Sequence, residues 1–209
     1  KDSMSMHKNS REGIIKTPRT LVMSAYASMP NITVKLTPDF KEDKSNIVFV
    51  DLGFGKKRLG ASILSQIYDQ IGDDCPDFEN ITNFKYQFNT IQKLIKSNKI
   101  ISGHDRSDGG LITTLLEMSF AGNKGFNLDI TNEATYLEYF FNEELGIILE
   151  VPIAYTDYVV NKLSQSTPVT IIGSVTDHDN VSIKFNNEEI LNTKMTILRN
   201  SWEKNSFNF

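Results

Sequence analysis

The order of apolar and polar positions predicts alternating strands and helices along most of the chain. Residues 47–52 form a continuous apolar run, which is typical of a central strand buried on both faces. Residues 83–97 carry apolar side chains at helical spacing and predict an amphipathic helix. We expect its apolar stripe to lie in the core, and the stripe consists of Phe84, Phe88, Ile91 and Ile95.

The same pattern predicts the remaining elements of the fold. Strands are expected at residues 20–27, 99–101, 126–130, 147–151, 168–175 and 181–185. Helices are expected at residues 61–71, 111–122, 134–145, 152–164 and 194–204. Because strands and helices alternate without a strict βαβ repeat, the predicted class is a layered α+β domain with a mixed sheet covered by helices.

A strand-to-helix turn at residues 103–110, with the sequence GHDRSDGG, is the strongest candidate for chemistry. Such a turn directs backbone N–H groups and the positive end of a helix dipole at one spot, and paired glycines let an anion approach closely. We therefore predict a phosphate or metal-phosphate site, with Asp105 able to reach a hard cation. The structural alternative is that Ser107 or Asp108 simply caps the following helix.

Three further acidic or basic stretches are secondary candidates. Residues 53–62 form a glycine-rich basic loop that is neither a P-loop nor a dinucleotide fingerprint, so we interpret it as a surface loop with basic side chains in solvent. Glu143 and Glu144 lie at a predicted helix end, and either they bind a polar substrate or cation or they form a solvated face. Asp51 ends a predicted strand, where ligand groups often gather.

Composition and charge exclude several classes of function. The chain has 209 residues and a net charge of −4, and its lysines are scattered, which disfavours nucleic-acid binding. No apolar run approaches the roughly 20 residues that span a bilayer. Cys75, the single cysteine, fits a reducing compartment, so we expect a cytoplasmic location, and its acidic neighbours disfavour a nucleophilic role. His104 is expected to be structural, and no zinc site or hydrolytic triad is expected.

The turn and the helix after it resemble a known family. Residues 104–111 (HDRSDGGL) followed by 115–122 (LLEMSFAG) closely resemble a segment of the phosphoribosylformylglycinamidine synthases of the large single-chain type. The resemblance covers essentially the whole chain. It continues in the same order at residues 1–6, 21–27, 51–53, 59–62, 66–68 and 141–146 and at Trp202.

This resemblance implies a fold and a domain organisation. The chain resembles the C-terminal half of the second AIR-synthase-like repeat, a three-layer α/β/α domain with a mixed sheet. Residues 1–18 then correspond to a remnant of the preceding AIR-synthase N-terminal-like domain and its connector, residues 19–190 to the AIR-synthase C-terminal-like domain, and residues 191–209 to a helix and linker toward a glutaminase domain. The implied partners are those two other domains. The isolated chain is expected to expose an apolar face and to self-associate.

The resemblance also implies an activity and the roles of two residues. Family members are ligases that use ATP, Mg²⁺ and glutamine to convert formylglycinamide ribonucleotide into formylglycinamidine ribonucleotide in de novo purine biosynthesis. Asp105 matches a Mg²⁺ ligand of the family, and Ser107 matches a contact to the nucleotide (ATP or ADP). The family has one catalytic and one structural nucleotide site, and the choice between them stays open. The turn after Phe141 corresponds, in the sister repeat, to a segment that touches substrate.

One expectation and one competing hypothesis follow for the chain by itself. It lacks the preceding half of the repeat and the glutaminase domain with its nucleophilic cysteine, so the isolated chain is predicted to have no turnover. The competing hypothesis is a non-catalytic scaffold or interaction domain that keeps the fold and packs against partner domains.

Overall fold

A computed structural model of the chain describes residues 7–11, 13–16, 23–204 and 206. It divides the chain into two units, Lys1–Thr33 and Val34–Phe209. In the first unit, strands β1 (His7–Ser10) and β2 (Gly13–Lys16) form an antiparallel hairpin that the polar sequence did not predict. Residues 23–27 have no regular secondary structure, so the strand predicted at 20–27 is wrong there, and residues 20–22 lie outside the described part of the chain.

The second unit is built on a seven-stranded mixed sheet. Its strands are β3 (Asn46–Asp51), β4 (Ser102–Asp105), β5 (Gly125–Ile130), β6 (Gly146–Val151), β7 (Val169–Thr176), β8 (Val181–Phe185) and β9 (Glu188–Thr193). Their order across the sheet is β4-β6-β3-β7-β5-β8-β9, and neighbours are antiparallel except for the parallel pair β5 and β8. This order confirms the predicted class and the central place of β3.

Helices cover both faces of this sheet and complete three layers. The helices are α1 (Ile63–Ile67), α2 (Ile81–Lys96), α3 (Gly110–Gly122), α4 (Tyr136–Phe141), α5 (Thr156–Leu163) and α6 (Met195–Glu203), with a 3-10 turn at Ile153–Tyr155. One core lies between the sheet and α3, α4 and α6, and a second core lies between the sheet and α2 and α5. Among the described residues, no helix is long and apolar enough to cross a membrane.

The four central residues of strand β3 are apolar because the strand contributes side chains to both cores. Ile47 and Phe49 belong to the first core, and Val48 and Val50 alternate with them into the second. All four side chains are buried, and burying one such side chain fully contributes roughly 1.5–3 kcal/mol to stability. The strand therefore fixes the register of the sheet on which the site is assembled.

Three predictions near the site are wrong in detail. The strand predicted at residues 99–101 is β4, Ser102–Asp105, so Asp105 belongs to the strand. The helix predicted at 134–145 ends at Phe141, because Asn142 has an extended backbone (φ −67°, ψ 143°) and its side-chain amide donates to the Glu138 and Tyr139 carbonyls. The helix predicted at 61–71 spans only Ile63–Ile67.

The predicted core stripe of α2 also needs correction. Phe88 is 52% exposed, and the buried positions of the helix are Gln87, Ile91 and Leu94. Gln87 is accommodated inside because its amide donates to Ser166 Oγ at 3.0 Å and to the Leu163 carbonyl. Gln87, which donates to a backbone carbonyl at the end of α5, is thus buried where the sequence led us to expect Phe88.

Candidate functional site

The loop of residues 142–145, between α4 and β6, contacts both the basic loop at residues 53–62 and the turn at residues 103–110. Asn142 orders the loop by accepting a hydrogen bond from the Glu144 amide at 3.3 Å, in addition to the two bonds it donates to α4. Glu143 and Glu144 then reach different partners. Helix α4 ends at Phe141, so Glu143 and Glu144 lie just beyond its C-terminus rather than within its last turn.

Glu144 forms a buried ion pair with Arg58 of the glycine-rich basic loop. Arg58 Nε lies 2.5 Å from Glu144 Oε1, and Nη2 lies 2.7 Å from Oε2, a two-pronged geometry. The Glu144 side chain has no exposed surface, and that of Arg58 is 13% exposed. The hydrogen bond to Glu144 raises the pKa of Arg58 above its ordinary value. The interpretation of this loop as basic side chains in solvent is therefore wrong for Arg58.

Glu79 extends this ion pair toward the surface. It accepts hydrogen bonds from Arg58 Nη2 and Lys56 Nζ, each at 2.7 Å. The bond from Lys56, with smaller contributions from both positive charges, holds the pKa of Glu79 below its ordinary value. The basic loop is thereby fastened at Lys56 and Arg58 to two acidic residues from distant parts of the sequence.

Arg106, in the turn after β4, is a second buried cation, and it contacts the loop of residues 142–145. Its side chain is 3% exposed and donates to the backbone carbonyls of Glu144 and, at 3.2 Å, Leu145. Its guanidinium carbon lies 4.9 Å from the centre of the Phe49 ring. Burial lowers the pKa of Arg106 to about 10, against the opposing pull of Asp51 and Glu144, so Arg106 is a cation at neutral pH.

Asp51, at the end of β3, contacts both the start of the basic loop and Arg106. Its two carboxylate oxygens accept the amides of Gly53 at 3.0 Å and Gly55 at 2.7 Å, and Arg106 Nη2 lies 3.6 Å away. Gly53 is required here for space, because a Cβ would lie 2.8 Å from Glu144 Cβ. Asp51 thus shapes the start of the basic loop from inside the protein.

The turn before α3 has an acidic partner that the sequence did not pair with it. Glu143 Oε1 accepts the Gly109 amide at 2.7 Å and the Ile63 amide at 2.9 Å. Gly109 is the N-cap of α3 and no side chain caps the helix, so the alternative of capping by Ser107 or Asp108 is wrong. Both Gly109 (φ +82°) and Gly110 (φ +75°) are left-handed, which accounts for the glycine pair without any ligand.

Asp105 and Ser107 lie together at the surface. The Asp105 carboxylate is 75% exposed, and its Oδ2 accepts a hydrogen bond from Ser107 Oγ at 2.8 Å. His104 Nδ1 lies 3.3 Å from Asp105 Oδ1, and His104 Nε2 lies 3.4 Å from Glu117 Oε2. The hydrogen bond from Ser107, opposed by partial burial, keeps the pKa of Asp105 below its ordinary value. Asp105 is therefore an ionised, oriented and accessible carboxylate.

Replacing Ser107 by Ala is expected to raise the pKa of Asp105 toward its ordinary value, because the largest stabilising contact of the carboxylate is removed. With a lowered folded pKa, the contribution of Asp105 to stability is present above the unfolded pKa and is lost as the pH falls through the folded pKa. Carbon-detected NMR titration of the Asp105 carboxyl measures the change. An unchanged midpoint in the Ser107→Ala variant contradicts the assignment of Ser107 as the controlling contact.

The sequence thus found some of these residues and missed others. Asp51, Glu143, Glu144 and the basic loop were singled out and do converge, whereas Arg58, Arg106 and Glu79 were not recognised individually. Cys75 is exposed and free. Across the described part of the chain, no group of three or more His, Cys, Asp or Glu residues is arranged to hold a metal ion.

A mixed seven-stranded sheet with helices on both faces makes the second unit a three-layer α+β domain. The chain belongs to the family described as AIR synthase related protein, C-terminal domain, which matches residues 52–186. It is 44% identical, over 99% of its length, to a probable phosphoribosylformylglycinamidine synthase, chloroplastic/mitochondrial, of Arabidopsis thaliana. It is 35% identical, again over 99% of its length, to the phosphoribosylformylglycinamidine synthase of Dictyostelium discoideum. The chain spans 15% and 17% of those relatives.

Solved structures confirm the fold. T. maritima PurL complexed with ATP superposes on 89% of this chain with a TM-score of 0.65 at 9% identity, and the match covers 28% of PurL. The structure of T. maritima PurL complexed with FGAR gives a TM-score of 0.66 at 10% identity, over 89% of this chain and 30% of PurL. The resemblance to the synthase family and the three-layer fold predicted from it are both confirmed.

Proposed function

We propose that this chain acts as a segment of a phosphoribosylformylglycinamidine synthase, the ATP- and glutamine-dependent ligase of de novo purine biosynthesis. The observation that carries the proposal is the 44% identity to the Arabidopsis synthase across 99% of the chain. Identity at that level over nearly the whole chain favours a shared role. The reaction is the conversion of formylglycinamide ribonucleotide into its amidine.

Within that role, we assign Asp105 to a Mg²⁺ ion and Ser107 to the nucleotide. Mg²⁺ usually takes one or two carboxylates from the protein and completes its coordination with water and substrate phosphates. An exposed, ionised carboxylate such as Asp105, held in place by the Ser107 hydroxyl, fits that requirement for one ligand. When bound, the ion would neutralise phosphate charge, while the protein residues orient and hold it.

The second candidate function is a non-catalytic scaffold of the same fold, and specific observations favour it. The Gly109 amide, which could have received an anion, is bonded to Glu143. Asp51, Arg58, Arg106 and Glu144 are satisfied by one another and by backbone groups. In this view the charged network exists to hold loops in place, and other domains supply the chemistry.

Hydrogen exchange of the full-length synthase that contains this segment separates the two functions. If the segment binds nucleotide, MgADP protects the amides of Ser107–Gly110 beyond the protection in metal-free, nucleotide-free enzyme. A scaffold shows the same exchange at these amides while nucleotide protects other domains. Working with the whole synthase matters, because the proposed preceding half would supply most of the nucleotide pocket.

Several consequences accompany this proposal. The partners are the AIR-synthase N-terminal-like and glutaminase domains and a purine-nucleotide substrate, and the location is cytoplasmic. The isolated chain, supplied with ammonia, ATP and formylglycinamide ribonucleotide, is expected to form no amidine.

A further inference from the structure

The α1 segment, residues 59–74, is a compact excursion closed by its own hydrogen bonds. The Gly60 amide donates to the Asp74 carbonyl at 2.9 Å, and the Ala61 amide donates to the Ile71 carbonyl at 2.7 Å. Ala61 (φ +58°) and Gly72 (φ +72°) are both left-handed, so the chain bends sharply where it enters and where it leaves the excursion. The segment is thus held together at its base by backbone hydrogen bonds of its own.

Helix α1 packs weakly against the rest of the domain. The helix, which the structure describes in full, has no buried residue, although its N-cap Ser62 is fully buried. Ile67 is 72% exposed, and Tyr68, the C-cap, is 68% exposed. A pocket of about 350 Å³ is lined by Leu64, Tyr68 and other residues of the segment together with Leu137 of α4. Helix α1 therefore depends more on polar attachments than on a core.

Glu143 supplies one attachment near the base of the segment, through one oxygen that accepts two hydrogen bonds. Glu143 Oε1 accepts the Ile63 amide, at the start of α1, and the Gly109 amide, in the turn before α3. Glu143 is only half-buried, whereas Glu144 beside it is fully buried in its pair with Arg58. The two neighbouring carboxylates thus differ: the Glu144 pair is enclosed, and the Glu143 attachment is open to water and cheaper to break.

We propose that Glu143 is a releasable latch that couples the α1 segment to the turn before α3. When the latch opens, Ile63 and Gly109 lose the same acceptor, so the start of α1 and the turn carrying Ser107 loosen together. Arg58 keeps the base of the segment attached through Glu144. The importance of this coupling for a bound nucleotide rests on the proposed function, whereas the latch itself exists in the ligand-free chain.

Residue-resolved hydrogen exchange of the ligand-free full chain tests the latch with two variants of Glu143. Glu143→Ala removes the acceptor and is expected to speed exchange of Ile63 and Gly109 together, each by about tenfold. Glu143→Gln keeps an oxygen that can accept both amides and is expected to change them by less than about threefold. Amides of β3 and β6 serve as the internal reference and should be unchanged.

Two results overturn the latch. One is a change at only one of Ile63 and Gly109, or at neither, in Glu143→Ala, because a shared acceptor must affect both. The other is an equal rise through β3 and β6, which makes Glu143 a support of the whole fold. Neither result depends on nucleotide, so failure of the latch and failure of the proposed function are seen in separate experiments.

Discussion

Glu144→Ala is expected to lower the free energy of unfolding by about 3–5 kcal/mol, which is typical when one partner of a buried ion pair is removed. Arg58 would be left with its guanidinium 13% exposed and without its two-pronged partner. Glu79 would still accept one bond, so Arg58 would be pulled toward the surface rather than fully stranded. Urea unfolding followed by circular dichroism measures the loss.

The double variant Arg58→Ala/Glu144→Ala identifies the cause of that loss. If an unpaired buried charge dominates, removing both partners costs clearly less than the sum of the two single changes. Glu143→Ala, which alters the neighbouring but half-buried carboxylate, is the matched control and should cost less than about 0.5 kcal/mol, because the bonds it removes are open to water. A loss below 1 kcal/mol for Glu144→Ala, or full additivity in the double variant, contradicts the buried pair.

Gly110→Ala is expected to cost about 3–4 kcal/mol, the sum of backbone strain and a steric clash. The residue has φ +75°, where a Cβ costs roughly 1–2 kcal/mol. That Cβ would also lie 2.6 Å from the Phe140 carbonyl oxygen and 2.8 Å from the Asn142 carbonyl oxygen. Backbone atoms cannot swing aside as a side chain can, so α4 and the 142–145 loop would be pushed from α3.

Gly55→Ala is the matched control for this prediction. Gly55 has a similar left-handed backbone (φ +82°), but a Cβ there meets nothing within 4 Å. We expect a cost of roughly 1–2 kcal/mol, which is the conformational part alone. Equal losses for the two variants, measured by urea unfolding, would mean that close approach of α4 to α3 contributes nothing at Gly110.

Periodicity predicted the elements that are buried and missed those that are not. Strand β3 and helix α3 carry long apolar patterns and are where the sequence places them. Strand β9 is a largely polar edge strand, with Glu188 and Glu189 at its start, and it was not predicted. A tight turn precedes β9. Asn186 and Asn187 in that turn both have a left-handed backbone, which asparagines in tight hairpins often adopt.

The site was harder to predict than the fold, because its pairs are distant in the sequence. Arg58 and Glu144 are separated by 86 residues, and no local pattern connects them. Glu143 was singled out from a helix predicted to run to residue 145, whereas α4 ends at Phe141 and Glu143 is positioned by its bonds to Ile63 and Gly109. The glycines of the turn at Gly109 were explained by anion approach, whereas the backbone conformation and the contact with α4 already require them. Asp105 and Ser107 stay predictions.

Metal and nucleotide occupancy of Asp105→Asn in the full-length synthase is the most direct test of the account, read separately from turnover. Occupancy is predicted to fall by at least about tenfold, because a neutral amide oxygen is a weaker Mg²⁺ ligand than a carboxylate. Asp108→Asn, which alters an acid of the same turn, should retain the wild-type value. Loss of occupancy with normal turnover assigns the segment to a structural nucleotide site, and loss of both assigns it to the catalytic one. Wild-type occupancy in Asp105→Asn contradicts the claim that this segment holds the metal-nucleotide complex.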